Sequence, residues 1–237
     1  MASKLSKGAG ITAVAAIIEH NTSGIISPKK NNITDPKALE GKKYGTWNDP
    51  VELAMIKSLV EKQGGDYNKI ELVPNSDSNS ITPLENGVFD AAWIYYAWDG
   101  KLAESMNLET NFFYLRDFDK KLDYYSPVII ANNDYLKNNK EEAQKVLRAI
   151  KKGYVYAIEH PEEAADILIK NAPELKEKRD FVVASQKYIS QQYASNKEHW
   201  GEFDAERWNA FYRWVNENKI IEKPLADNTG FSNDYIK

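Results

Sequence analysis

An indole, an amide and two carboxylates lie within residues 47–52 of this chain, at Trp47, Asn48, Asp49 and Glu52. An indole can stack on a flat ring, and the amide and carboxylates can donate or accept hydrogen bonds. This is more recognition chemistry than a plain connector needs, and it suits a small, flat ligand. The alternative is that Trp47 packs in the core and that Glu52 is a surface acid favoured by a helix dipole.

The local sequence places these side chains between a strand and a helix. Asp49 is a preferred N-cap residue and Pro50 suits the first helical position, so a helix is predicted to begin at about Asp49. Residues 42–45 predict a short strand that ends at a glycine, which leaves residues 46–48 as a tight loop. In open α/β sheets, loops at the carboxyl ends of strands are where small ligands bind.

The first half of the chain predicts an α/β sheet. Strand and helix signals alternate from residue 42 to residue 133, which predicts a largely parallel sheet with both faces covered. Upstream, the apolar run at 11–18 predicts a strand buried on both faces. A polar turn is predicted at 76–80 and a helix at 97–106.

From residue 140 onwards the pattern is helical only. The predicted helices cover residues 141–159, 161–170, 181–193 and 204–218. In the last of them a packing stripe at helical spacing is formed by Trp208, Phe211, Tyr212 and Val215.

Composition excludes several classes of function. The 237 residues carry a formal charge of -4 with no large basic block, so nucleic-acid binding is not supported. The absence of Cys removes disulfides and thiol nucleophiles. His20, His160 and His199 have no metal-ligand spacing, and no common nucleotide-binding or hydrolase motif occurs. The 6 Trp and 14 Tyr suit a pocket for a flat or apolar small molecule, although most such residues are core.

Four segments are specific enough to compare with a known family: TAVAAIIEHNTSG at 12–24, LEGKKYG at 39–45, AWIYYAWDG at 92–100 and ERWNAF at 206–211. Together they resemble the NMT1/THI5-like substrate-binding proteins of ABC importers. The resemblance runs in family order over nearly the whole chain from residue 11. It implies an α/β, periplasmic binding protein-like (type II) fold, in which two lobes joined by crossing strands close on a solute. Members deliver thiamine pyrimidine precursors, and their relatives deliver sulfonates, nitrate or riboflavin.

The same resemblance implies how the chain is divided. Residues 1–34 correspond to a remnant of lobe 1 with the inter-lobe strand, residues 35–133 to a complete lobe 2, and residues 134–237 to the C-terminal helical part of lobe 1. Full-length members are extracytoplasmic, either in the periplasm or as cell-surface lipoproteins. They begin with a signal sequence and strand-helix units that carry a Trp-x-Pro-Asn-type ligand contact, which this chain lacks. We therefore expect a truncated protein whose first lobe is incomplete.

The resemblance also implies ligand-binding positions, grouped in three places. These are an inter-lobe loop of Asn21, Thr22 and Ser23, second-lobe contacts from Trp47, Asn48 and Glu52, and an aromatic wall of Trp93, Tyr95 and Trp98. An aminopyrimidine could stack on an indole and donate its exocyclic amine to Glu52. A sulfonate or nitrate would instead favour free N–H groups at a helix N-terminus and no nearby carboxylate.

The expected function is solute binding for an ABC importer, with the transporter permease as partner. The expected solute is a heterocycle such as hydroxymethylpyrimidine or formylaminopyrimidine, and no catalytic residue, metal or cofactor is expected. One alternative is a relative that binds a sulfonate, nitrate or riboflavin. Another is a pyrimidine-synthesising enzyme of the same family, which the absence of Cys disfavours because such enzymes use a cysteine-rich iron-binding motif. A third is a folded remnant that has lost ligand binding.

An incomplete first lobe carries a structural expectation. The strand at 11–18 should have an unpaired edge, and the C-terminal helices should expose an apolar face that includes Trp208, Phe211 and Trp214. Self-association through that surface or a loosened lobe 1 would follow. The alternative is that the helices collapse on one another or on lobe 2 and hide the surface within a monomer.

Overall fold

The computed structural model describes residues 1–75 and 79–236, so the polar turn predicted at 76–80 lies largely outside the described residues. The chain divides into two compact units. Unit 1 consists of Met1–Asn21 with Lys121–Lys237, and unit 2 consists of Thr22–Lys120. Residues 23–28 pair with a strand of unit 2, and residues 128–132 pair with a strand of unit 1. The lobe limits expected from the sequence, at 35 and 133, stay a prediction.

The strands and helices have the following bounds. The strands are β1 Ile11–Ala16, β2 Ser23–Pro28, β3 Lys43–Thr46, β4 Glu71–Pro74, β5 Ala91–Tyr95, β6 Thr110–Tyr114 and β7 Val128–Asn132. The α-helices are α1 Ala2–Ser6, α2 Pro50–Lys62, α3 Ile81–Glu85, α4 Lys101–Ser105, α5 Leu115–Phe118, α6 Asn133–Asn138, α7 Lys140–Glu159, α8 Pro161–Asn171, α9 Arg179–Tyr193 and α10 Ala205–Glu217. A π-helical turn, Tyr96–Gly100, precedes α4, where the sequence predicted an uninterrupted helix.

Unit 2 is built on a five-stranded sheet in the order β4-β3-β5-β2-β6. β3 is parallel to β4 and β5, whereas β2 is antiparallel to β5 and β6. The prediction of a largely parallel sheet was therefore wrong for half of its strand pairs. The physical reason is that β2 enters from the other unit and inserts between β5 and β6, and local periodicity does not report such a long-range pairing.

Helix α2 begins as predicted. The Asp49 side chain accepts hydrogen bonds from the N–H groups of Val51 and Glu52, and Pro50 occupies the first turn. Met55, Ile56, Leu59 and Val60 are buried on its inner face. The cap, the proline and the apolar spacing thus act together to fix where the loop after β3 ends.

In unit 1, β1 pairs antiparallel with β7 in a two-stranded sheet. Its other edge is not left open, because the Ala13 N–H donates to the Gly230 carbonyl at 2.8 Å and the Ala16 N–H donates to the Gly201 carbonyl at 2.9 Å. Ser232 also donates to the Ala13 carbonyl at 3.0 Å. The expected unpaired edge of β1 is therefore occupied by backbone from the C-terminal third of the chain.

The C-terminal helices cover one another and β1. Trp208 and Trp214 are 5% and 3% exposed, so the expectation that they form an uncovered face was wrong. Trp208 packs with Tyr125 and Phe203, which the sequence pattern did not connect with α10. The predicted stripe on α10 is confirmed by the burial of Trp208, Tyr212 and Val215, and Phe211 is half-buried against Tyr124.

Candidate functional site

One edge of the unit 2 sheet collects most of the predicted site residues. Strands β3, β4, β5 and β6 all end at this edge, and the antiparallel strand β2 begins there. The pairing of Ser23 with Tyr95, and of Gly24 with Tyr114, fixes the register. The predicted residues that share this edge are Thr22, Ser23, Trp47, Asn48, Glu52, Trp93, Tyr95 and Trp98. We call this group the sheet-edge site.

Aromatic side chains dominate the exposed part of the sheet-edge site. Trp47, Tyr95 and Trp98 are 46%, 38% and 42% exposed. Trp47 directly follows β3 and Tyr95 ends β5, so strand pairing holds the backbone at these two positions, and Trp98 lies in the π-helical turn after β5. Large exposed aromatic rings at strand ends favour stacking with a flat ligand.

Trp93 differs from these three because it is only 4% exposed. Its ring centroid lies 6.1 Å from that of Trp47, at an interplanar angle of 46°. The Trp93 indole N–H is buried and has no acceptor among the described residues. A buried donor without an acceptor costs free energy, on the order of 1–3 kcal/mol, so a ligand or water oxygen at this position would be stabilising.

Glu52 is buried, so the alternative interpretation of Glu52 as a surface acid was wrong. The residue is 4% exposed, and its carboxylate accepts hydrogen bonds from the Tyr44 hydroxyl at 2.8 Å, the Thr46 hydroxyl at 2.9 Å and the Trp47 N–H at 3.1 Å. Burial raises the pKa of Glu52, and these hydrogen bonds partly oppose the rise. The carboxylate therefore faces the interior of the unit, beneath the loop, with both oxygens engaged.

The loop between β3 and α2 takes a restricted backbone conformation. Asn48 has a φ of +58° and is exposed. Its N–H donates to the Thr46 hydroxyl at 2.9 Å. Asn is one of the few residues besides Gly that adopts this left-handed region at low cost, so the residue type at this position matches the loop geometry.

The predicted inter-lobe loop divides between the two units. Asn21 belongs to unit 1, where its side chain donates to the Leu122 carbonyl at 2.9 Å and its N–H donates to Asp123 at 2.9 Å. Thr22 and Ser23 belong to unit 2 and are buried, and the Thr22 carbonyl accepts from the Tyr96 N–H at 3.3 Å. A role of these three residues in ligand binding stays a prediction.

Unit 1 contains a charged cluster that sequence reasoning missed. Asp123 lies 2.6 Å from His20 Nδ1 and 3.3 Å from Arg207 Nη1. The Arg207 guanidinium also lies over the Tyr125 ring, at 4.0 Å from the centroid. Burial raises the pKa of Asp123, but the hydrogen bonds from His20 and the Asn21 N–H and the charges of His20 and Arg207 outweigh it, so the pKa is lowered. Because these residues come from distant parts of the chain, spacing could not reveal them.

A cavity of about 400 Å³ borders this cluster within unit 1. Its lining combines Arg207 and Tyr125 with the carboxylates of Glu19, Glu202 and Asp204. Each of these carboxylates already has a partner, since Glu19 accepts from the Ser195 hydroxyl, Glu202 contacts His199 and Asp204 caps α10. Because these carboxylates are already engaged, the cavity lining does not select one ligand chemistry.

Residues 1–75 and 79–236 contain no cluster of His, Cys, Asp and Glu suited to a metal ion. Within the same ranges no helix is both long and apolar enough to span a bilayer.

Comparison with known proteins identifies relatives of this chain. The NMT1/THI5-like family model matches residues 1–164. The chain is 22% identical over 229 residues to a formylaminopyrimidine-binding protein of Halalkalibacterium halodurans, covering 96% of this chain and 69% of that protein.

Solved structures share the fold at low sequence identity. The alkanesulfonate-binding protein of Xanthomonas axonopodis pv. citri, bound to MOPS, superposes with a TM-score of 0.67 at 12% identity, covering 98% of this chain and 76% of that one. A desulfurization enzyme superposes with a TM-score of 0.64 at 12% identity, covering 95% of this chain and 78% of that one. The expected periplasmic binding protein-like α/β fold is thereby confirmed. The extent of the family match shows that the chain belongs to the NMT1/THI5-like family.

Proposed function

We propose that this chain is the solute-binding component of an ABC importer and that its sheet-edge site binds a flat, neutral or cationic heterocycle of the aminopyrimidine type. The observation that carries the proposal is that the exposed groups at this edge are aromatic rings, whereas the N-terminus of α2 in the same loop is already capped by Asp49. Trp47, Tyr95 and Trp98 are exposed there. The ligand, the permease as partner and an extracytoplasmic location are parts of the same proposal.

The capped helix argues against an anionic ligand at this edge. The first-turn N–H groups of α2, from Val51 and Glu52, are bonded to Asp49 Oδ1 at 2.8 and 3.2 Å. A sulfonate would need such N–H groups free. It would also meet the Asp49 charge in the same loop, which would repel it.

The aromatic rings favour a heterocycle. A pyrimidine can stack on an indole, which is worth about 0.5–1.5 kcal/mol beyond the area buried. A ring nitrogen or oxygen substituent can accept a hydrogen bond from a buried donor such as the Trp93 indole N–H. The named relative that binds formylaminopyrimidine supports the same ligand class.

A second candidate function is enzymatic, because a desulfurization enzyme shares the fold. The sheet-edge site does not favour it. The one exposed carboxylate in the loop, Asp49, is engaged as the cap of α2. The exposed groups of the site itself are aromatic rings and an amide, none of which is a nucleophile or a general base at neutral pH. The chain also has no Cys to serve as nucleophile or iron ligand.

Isothermal titration calorimetry of the purified chain tests the proposal with formylaminopyrimidine, riboflavin and taurine as ligands. We expect heat of binding with formylaminopyrimidine and recovery of the ligand chemically unchanged. Trp47→Ala should weaken that binding by about tenfold, since stacking and burial of the indole are worth roughly 1–3 kcal/mol. Tyr135→Ala is the matched control, because Tyr135 is 39% exposed but lies on α6 in unit 1.

Two results would overturn the proposal. Tight binding of taurine without binding of formylaminopyrimidine would show that the capped α2 terminus does not exclude anions. An unchanged dissociation constant in Trp47→Ala would show that the sheet-edge site does not hold the ligand.

A further inference from the structure

We infer that Glu52 is a positioning residue, which holds the Trp47 loop in its binding conformation and does not touch the ligand. The inference rests on the proposed function, because it concerns how the stacking indole is presented. It also assigns a role to the buried carboxylate that differs from the direct contact expected from sequence.

The first step is the direction of the carboxylate. Glu52 is 4% exposed, and its Oε1 accepts from the Tyr44 hydroxyl, which is itself fully buried. Both carboxylate oxygens already accept from Tyr44, Thr46 and Trp47, so a ligand could bond to Glu52 only by displacing these donors. The carboxylate is therefore part of the support beneath Trp47.

The second step is what Glu52 Oε2 holds. This oxygen accepts from the Trp47 N–H at 3.1 Å and from the Thr46 hydroxyl at 2.9 Å. The Thr46 hydroxyl in turn accepts from the Asn48 N–H at 2.9 Å. One carboxylate oxygen thus binds two consecutive residues directly and the third through a hydroxyl.

The third step is why this matters for binding. The held segment contains Asn48 at a φ of +58°, a conformation that a free loop would leave. A loop that samples other conformations must be ordered when the ligand binds, and that ordering weakens affinity. Glu52 is part of α2, and the hydrogen bonds that its carboxylate accepts hold the loop in one conformation. The indole is therefore preorganised for binding before the ligand is present.

A double-mutant cycle tests the inference on the full chain with formylaminopyrimidine as the probe. Glu52→Met keeps the side-chain length and removes both acceptors, and we expect it to weaken binding about tenfold when Trp47 is present. In the Trp47→Ala background the same change should alter the dissociation constant by less than about twofold, because the ring it positions is gone.

Two further variants separate positioning from a general loss of structure. Glu52→Gln should recover most of the affinity, because its amide oxygen can still accept from the Trp47 N–H and the Thr46 hydroxyl. Glu61→Met is the matched control on α2, since Glu61 is exposed and pairs only with Lys57 among the described residues. It should leave binding unchanged.

The outcomes are distinct. Equal effects of Glu52→Met in both backgrounds, or no effect when Trp47 is present, would overturn the inference even if Trp47→Ala weakens binding. If Trp47→Ala leaves the dissociation constant unchanged, the proposed function is wrong. The support of the loop by Glu52 is then tested by amide hydrogen exchange at Trp47. Exchange should accelerate at least about tenfold in Glu52→Met, and unchanged exchange would refute the support role. If Glu52→Met does not fold, Thr46→Val enters the same cycle with the same expected coupling.

Discussion

Replacing Asp123 with alanine should lower the free energy of unfolding of unit 1 by about 3 kcal/mol. The Asp123 and Arg207 side chains are 17% and 18% exposed, so their ion pair is largely withdrawn from solvent. Asp123 also accepts from the Asn21 N–H and contacts His20 Nδ1. Truncation would leave the Arg207 guanidinium without its carboxylate, although its Nε already has no acceptor among the described residues.

The magnitude follows from the burial of the pair. Breaking a buried pair by removal of one partner costs about 3–5 kcal/mol, and the residual exposure of both groups places this pair at the lower end. An exposed pair is worth much less, because water and salt screen it. Asp227 and Arg213 form such a pair in the same unit, with 44% exposure on both sides.

Urea unfolding at neutral pH, followed by far-UV circular dichroism, measures the difference. The long helices α7, α8, α9 and α10 all lie in unit 1, so the helical signal reports mainly on that unit. We expect Asp123→Ala to shift the transition to clearly lower urea and Asp227→Ala to shift it very little. Equal shifts for the two variants would refute the reasoning that burial decides the value of these pairs.

Two further predictions concern pH and backbone packing. The pKa of Asp123 is lowered in the folded chain, so its stabilising contribution is present above the ordinary aspartate value of 3.8 and is lost as the pH falls through the lowered pKa. Acid unfolding below pH 3.8 should therefore be less steep in Asp123→Asn than in the parent, and identical profiles would contradict the assignment. Gly24→Ala would place a Cβ 2.2 Å from the Phe113 carbonyl oxygen, and we expect a loss of about 3 kcal/mol in the unfolding free energy of unit 2. Gly153→Ala in α7, where nothing lies within 4 Å, is the control and should stabilise by about 1 kcal/mol; similar thermal shifts in the two variants would count against the close approach at Gly24.

Features that depend on residues close together in the chain could be predicted from the sequence alone. The start of α2 depends on Asp49 and Pro50, which act on N–H groups within the same turn. The buried stripe of α10 depends on a spacing of three and four residues along one helix. The family resemblance also came from short segments, and it led to the correct fold.

The tertiary structure decided the features that depend on residues far apart. The antiparallel insertion of β2 between β5 and β6 joins strands separated by most of unit 2. The pairing of Asp123 with His20 and Arg207 spans most of unit 1. Neither leaves a periodic signal, because sequence periodicity records which face of an element is apolar and not which partner covers it.

Glu52 illustrates both what the local sequence predicts and what only the tertiary structure decides. The sequence alone determined that a carboxylate would lie in the first turn of a helix just after an aromatic loop. Only the packing of α2 against β3 decided that this carboxylate turns inward and accepts hydrogen bonds from Tyr44 and Thr46. The physical reason is that a buried carboxylate must have its oxygens satisfied, and the donors that satisfy them are brought into place by the fold.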